Sequence, residues 1–192
     1  MTCIVAVTDG ETVVMGGDSA AVHGLRLTVR NDRKVFLRSG GKAKMEWTFG
    51  FTTSFRMGQL IQYELELPEV DERDREDLFR FMVTKFIPKL RDCLKSGGWA
   101  TKENEKEGGG VFIVGLLGKL FFIDGDFHVG VLNDPFVAVG CGDDLAKGSL
   151  YTSRGTKDLK KRVRLALLAA QRFSAGVREP FTIIESKYTK SA

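Results

Sequence analysis

The pair Asp9-Gly10 separates two short apolar runs, CIVAVT at 3–8 and TVVMGGD at 12–18. An Asp-Gly step between two such runs is a strong local signal for a tight β-hairpin, because both positions tolerate the positive φ values that a twisted turn needs. The chain therefore opens with two adjacent antiparallel strands. LRLTV at 25–29 alternates apolar and polar residues. KVFLR at 34–38 follows the polar RNDR, and WTFGF at 47–51 is a further strand candidate. The first fifty residues read as a β meander.

The period then changes. Phe55, Leu60, Ile61 and Leu65 lie at helical spacing after Ser54, which is suited to an N-cap. A second helix is predicted from Asp74 to about Leu94, with Leu78, Phe79, Met82, Phe86 and Leu90 on one face and acidic residues crowding its first turn. Pro88 is expected to kink or end it. SGGWATKENEKEGGG at 96–110 reads as a flexible, Gly-rich, charged surface loop. Strand patterns resume with VFIVGLL, KLFFID, HVGVL and FVAVG, turning at Gly118 and at Gly125-Asp126. After GCGDD, Leu159, Val163, Leu167 and Ala170 line a helix ending near Gly176, and FTIIES after Pro180 is a last strand.

The order is thus strands, helices, strands, helices and a final strand, within 192 residues read as a single domain, 1–192. Each helix group can cover one face of an antiparallel sheet, and packing the two remaining faces together hides them from water. The predicted class is α+β, a four-layer α/β/β/α sandwich of two antiparallel sheets. Periodicity leaves open a three-layer or single-sheet α+β domain.

Composition excludes several functions. Lys and Arg number 29 against 25 Asp and Glu, and the basic clusters RNDRK and KDLKKRVR carry no interleaved aromatics. They read as solvated faces, so no nucleic-acid partner is expected. The three cysteines, Cys3, Cys93 and Cys141, form no CxxC or His-spaced cluster. Neither a disulfide framework nor a metal site is expected, and a reducing compartment fits. No segment is long and apolar enough to span a bilayer, and MTCIVAVTDGE lacks the basic start and long apolar core of a signal peptide. The expected location is cytoplasmic, with no membrane partner.

The chemistry-bearing candidates lie at the start. The small Thr2 permits removal of Met1, which would leave a threonine carrying both a hydroxyl and a free α-amine. That amine has a reference pKa of about 7.7–8.0, so part of it is neutral near pH 7 and can take the hydroxyl proton. Asp18 ends the second strand, after two glycines that allow close backbone approach, and a hairpin returns it beside the start of the first. Lys34 opens the next strand pair and can reach the same end. An ammonium held there by a carboxylate would lower the pKa of the threonine hydroxyl.

TCIVAVTDGETVVMGGDSA, with Lys34 downstream, resembles the proteasome β-subunit family of N-terminal nucleophile (Ntn) hydrolases, and in style the HslV-type peptidases, which also begin directly after their methionine. Asp18 and Lys34 lie 16 and 32 residues beyond Thr2, matching the family's threonine, aspartate and lysine without a gap. FGFTTSFRMGQLI resembles the family's strand-to-helix segment whose backbone amide forms the oxyanion hole, with Thr52 and Thr53 where the family usually has glycines. VAVGCGDD resembles the segment bearing an auxiliary serine, here replaced by Cys141. FSAG places Ser174 in another supporting serine segment.

The resemblance implies a threonine-type endopeptidase. Thr2, Asp18 and Lys34 would be catalytic, the Thr52 and Thr53 amides would stabilise the oxyanion, and Cys141 and Ser174 would support them, with no cofactor. It also implies a homo-oligomeric ring enclosing its active sites, a AAA+ unfoldase partner, and peptides or unfolded proteins as substrates. Two alternatives stay open: a catalytically silent shell or scaffold subunit, which a retained Met1 would favour, and a small-molecule Ntn amidase with its pocket closed by the 96–110 loop.

Overall fold

The structure, a computed structural model, describes residues 1–41, 45–103 and 106–188. The hairpin expected at the start is present: β1 (Cys3–Thr8) and β2 (Thr12–Gly17) pair antiparallel, with Ala6 opposite Met15. Asp9 drives the reversal. Its Oδ1 accepts the amides of Glu11 and Thr12 at 3.0 and 2.7 Å, an Asx turn, and Gly10 takes φ +96°. The rest of the first fifty residues is not one meander. After Gly17 the chain leaves the sheet and forms a separate ribbon from β3 (Ala20–His23) and β4 (Arg26–Val29). Then β5 (Val35–Gly40) and β6 (Met45–Phe51) pair in a second sheet.

Ser54 caps α1 (Phe55–Tyr63) as expected, its Oγ accepting the amides of Arg56 and Met57 at 3.1 and 3.4 Å. The long helix predicted over 74–94 is instead segmented into α2 (Glu72–Glu76), α3 (Leu78–Phe81), a π turn at Met82–Phe86, and α4 (Ile87–Ser96). Pro88 falls in the first turn of α4, where a missing N–H leaves no bond unmade, so it starts a segment rather than ending one. Phe79, assigned to the apolar face, is 49% exposed, while Leu78, Phe81, Met82, Phe86 and Leu90 are buried.

The segment expected as a flexible loop over 96–110 contains a short strand pair. β7 (Thr101–Glu103) and β8 (Lys106–Gly108) form a ribbon, with residues 104–105 outside the described residues. The Trp99 indole N–H donates to the Gly109 carbonyl at 2.8 Å and fastens its base. There follow β9 (Phe112–Leu116), β10 (Lys119–Ile123), β11 (Val129–Gly130), β12 (Phe136–Gly140), α5 (Asp143–Thr152), α6 (Leu159–Phe173) and β13 (Thr182–Lys187).

One sheet has the order β12-β1-β2-β13 and the other β11-β10-β9-β6-β5. Period-2 alternation along β1 sends Val5 and Val7 to one face and Ile4 and Ala6 to the other, and both faces are buried. Val5, Val7 and Val14 pack beneath Leu150, Val163 and Leu167 of α5 and α6. Ile4, Ala6 and Met15 meet Val35 and Ile113 between the sheets. On the far face of the second sheet, Trp47 and Phe49 lie beneath α1, α3 and α4, with Trp47 and Phe86 stacked at 5.4 Å. Such ring pairs add about 0.5–1.5 kcal/mol beyond the area they bury. Three apolar layers between four layers of structure give the α/β/β/α sandwich.

The glycines before Asp18 are needed for packing. A Cβ on Gly16 would stand 2.5 Å from Val163 Cγ1, and one on Gly17 would stand 2.9 Å from Ile4 Cδ1. Among the described residues no helix is long and apolar enough to cross a membrane.

Candidate active site

The hairpin register decides where Asp18 falls. Ile4 opposes Gly17, so the next residue pair brings Asp18 beside Cys3, immediately after Thr2. Asp18 Oδ1 accepts the Cys3 amide at 2.9 Å, and the Asp18 amide donates to the Cys3 carbonyl at 3.3 Å. Lys34 stands directly before β5, with its carbonyl accepting the Phe51 amide at 3.0 Å. From there Nζ reaches Asp18 Oδ1 at 2.8 Å and the Ala20 carbonyl at 2.6 Å. The second carboxylate oxygen accepts the amides of Ala20 and Arg178 at 2.9 and 3.3 Å.

Both side chains are buried, at 2% exposure each. Burial pushes the Lys34 ammonium down from its ordinary value, and the Asp18 charge and hydrogen bond pull it back up. The nearby Cys3 thiol is pushed far up, chiefly by burial and then by the Asp18 charge. Cys3 is therefore a packed apolar group and not a nucleophile.

Thr2 is buried at the same strand end. Its nitrogen is in peptide linkage to Met1, and its Oγ1 donates to the Met1 carbonyl at 2.6 Å. The Cys141 thiol donates to the Thr2 carbonyl at 3.4 Å and stands 3.5 Å from Ser174 Oγ. The two supporting residues expected from sequence thus meet each other behind Thr2. Gly140 makes this approach possible: it adopts φ +102°, and a Cβ there would stand 2.2 Å from the Thr2 carbonyl oxygen. The Met1 side chain occupies the space that Gly176 leaves open.

The two threonines assigned to the oxyanion differ. The Thr52 amide donates to the Val111 carbonyl at 3.0 Å, so it is not free to bind an oxyanion, and that half of the assignment is corrected. Thr53 sits at φ +67° with its Oγ1 accepting the Val111 amide at 3.1 Å, and its own N–H has no acceptor among the described residues. Left-handed backbone at a threonine costs roughly 1–2 kcal/mol, and Val111 holds it there from across the sheet edge.

Thr2, Thr52 and Thr53 line one cavity of about 420 Å³, whose opposite wall is the β3–β4 ribbon. Sequence reasoning read the alternation of LRLTV as one strand of a meander and missed that β3 pairs with it to form this wall. A larger cavity of about 510 Å³, near Thr8, Leu120 and Phe122, lies at the far end of β1 and contains none of the candidate residues. The smaller cavity is the one that borders Thr2, whose neighbour Cys3 is bonded through its amide to Asp18 of the buried ion pair. Among the described residues no cluster of three or more His, Cys, Asp or Glu could hold a metal.

No protein-family model and no curated protein matches the chain. Solved structures do. BPH of Thiobacillus denitrificans superposes at TM-score 0.75 with 18% identity, covering 98% of this chain and 100% of its own, and it has also been solved in complex with epoxomicin. Eukaryotic HslV from Trypanosoma brucei gives TM-score 0.68 and 21% identity, covering 97% of this chain and 99% of its own. The Anbu (Gly-1) mutant from Hyphomicrobium sp. strain MC1 gives 0.65 and 14%, covering 97% and 82%. The chain has the fold of the proteasome-type Ntn hydrolases.

Proposed function

We propose that the chain is a threonine peptidase of a proteasome-like assembly, with Thr2 as nucleophile once Met1 is removed. The observation that carries this reading is the single Asp18 oxygen that holds both Lys34 Nζ, at 2.8 Å, and the Cys3 amide, at 2.9 Å. That oxygen fixes a buried cation to the backbone next to Thr2. With Met1 attached, Thr2 lacks two things the chemistry needs. Its nitrogen is an amide and cannot act as base, and its hydroxyl hydrogen is engaged by the Met1 carbonyl. Removing Met1 supplies an amine and frees the hydroxyl in one step.

In the reaction, Thr2 Oγ1 attacks the peptide carbonyl and its proton passes to the Thr2 amine. The Thr53 N–H donates to the oxyanion, a contribution of typically about 100- to 1000-fold in rate. The amine then protonates the leaving group, and water cleaves the ester. Asp18 keeps Lys34 charged against its burial, and Lys34 favours the ionised threonine oxygen.

Exposed apolar side chains, among them Leu25, Leu27, Tyr63, Phe79 and Val83, suit a homo-oligomeric ring, and peptides or unfolded segments suit an enclosed site. A AAA+ unfoldase partner and a cytoplasmic setting accord with this reading. A second reading is a silent shell subunit that retains its methionine, which would leave Thr2 without a free amine. Intact mass of the purified protein and hydrolysis of fluorogenic peptides separate the two. The peptidase reading expects loss of Met1, turnover abolished in Thr2→Ala, and inhibition by epoxomicin. A retained Met1 with no turnover rejects it.

A further inference from the structure

The wall of the Thr2 cavity has a charge that the catalytic reading does not use. In the β3–β4 ribbon, Ala21 opposes Thr28 and His23 opposes Arg26. Opposed residues, and residues two apart, share a face of an antiparallel pair. All four therefore point to one side, and all four line the cavity. Val22, Leu27 and Val29 take the other side, and of these only Val22 also borders the cavity. The face that carries His23 and Arg26 thus contributes most of the ribbon's lining of the Thr2 cavity.

Arg26 and Arg30 both line this cavity, and no carboxylate does. The two arginines are not equivalent. Arg30 is committed, forming two hydrogen bonds of 2.6 and 2.7 Å to Asp32 and stacking over the Phe55 ring at 4.0 Å. Arg26 is exposed and has no ion pair or hydrogen bond among the described residues. An arginine fork without a partner, bordering the cavity that Thr2 lines, is suited to receive a carboxylate.

We infer that this site selects peptides with an acidic side chain at the residue whose carbonyl Thr2 attacks, and that Arg26 reads that carboxylate. The inference rests on the peptidase reading of the same cavity. A glutamate is favoured by a charge-assisted, bidentate contact, and a basic side chain is repelled by Arg26. The selection is electrostatic at a solvent-accessible site, so it weakens as salt shortens the Debye length from about 10 Å at 0.1 M to about 3 Å at 1 M.

The test has two arms. In the first, the protein lacking Met1 is given blocked tripeptide coumarin amides ending in Glu, Leu or Arg. The expected kcat/KM for Glu exceeds that for either other substrate by tenfold or more. Arg26→Glu is expected to invert the Glu-to-Arg ratio, while Lys157→Glu, an equal charge change on a remote exposed residue, leaves the ratio unchanged. In the second, fluorescein-labelled peptides of the same three kinds are titrated by anisotropy into Thr2→Ala, which needs no turnover. Preferential binding of the acidic peptide, lost in Thr2→Ala/Arg26→Glu, supports the inference even if the wild type hydrolyses nothing, an outcome that would reject the peptidase reading alone. Hydrolysis or binding that favours Leu or Arg, or a ratio untouched by Arg26→Glu, overturns the inference and leaves the peptidase reading standing. Absence of both binding and hydrolysis overturns both.

Discussion

Asp18 bonds Lys34 across a buried 2.8 Å contact, but the two residues do not depend on each other equally. The carboxylate also accepts three backbone amides, from Cys3, Ala20 and Arg178, whereas the ammonium has one further acceptor, the Ala20 carbonyl. Deleting the lysine leaves a carboxylate still solvated by amides. Deleting the aspartate strands a buried cation and three N–H groups together.

Asp18→Ala is therefore expected to destabilise the fold more than Lys34→Met. Breaking a buried pair from one side typically costs about 3–5 kcal/mol, and the orphaned amides place Asp18→Ala at or above the top of that range. Lys34→Met, similar in length and apolar, belongs at or below its lower end. Urea unfolding of the two variants checks the order. Equal midpoints, or a more stable Asp18→Ala, would show that the amides find other acceptors. Both variants are expected to lose peptide hydrolysis, so stability distinguishes the partners where activity does not.

The Cys3 thiol gives the fold a pH dependence with a defined sign. Burial raises its pKa in the folded state, so the folded protein keeps this proton well above the pH at which an unfolded thiol, with a pKa of about 8.5, loses it. The folded state then binds more protons than the unfolded state. The contribution of Cys3 to stability is complete below about pH 8.5 and is lost as pH rises. Unfolding free energies of wild type and Cys3→Ala, measured under reducing conditions, should differ by a constant amount from pH 6 to 8. Above about pH 9 the wild-type advantage should shrink by about 1.4 kcal/mol per pH unit. Parallel curves throughout would mean that the folded thiol ionises as readily as the unfolded one.

The parts of this structure legible in the sequence are those fixed by local chemistry. Asp9-Gly10 sets the first hairpin, Ser54 caps α1, and the register of a tight hairpin is enough to carry Asp18 back beside Thr2. Lys34 was found through the family resemblance, whose threonine, aspartate and lysine spacing it matches. What stayed hidden depends on distant pairing. AAVH at β3 is short and small, so no alternation announces the ribbon that walls the site. Phe79 fits a helical face by spacing, but breaks between α2, α3 and the π turn rotate it outward. The fate of the Thr52 amide is set by Val111, 59 residues away, and nothing near Thr52 discloses that its N–H is taken.

That last distinction separates the roles of Thr52 and Thr53. The Thr53 hydroxyl accepts the Val111 amide, its backbone is left-handed, and its own N–H, with no acceptor among the described residues, belongs to a residue that lines the cavity. Thr53→Gly relieves roughly 1 kcal/mol of backbone strain but loses a hydrogen bond of about the same value and gains unfolded-state entropy. Its net stability should therefore stay within about 1 kcal/mol of wild type. Its amide, however, is no longer clamped by the side chain. We expect kcat to fall by about tenfold or more, short of the ~100- to 1000-fold that follows complete loss of an oxyanion donor. KM should change little, because the interaction is made chiefly in the transition state. Thr52→Ala, whose amide already donates within the fold, should keep kcat within about twofold. Steady-state kinetics on blocked peptide coumarin amides decides the matter. A larger kcat loss in Thr52→Ala than in Thr53→Gly would place the oxyanion elsewhere on this turn.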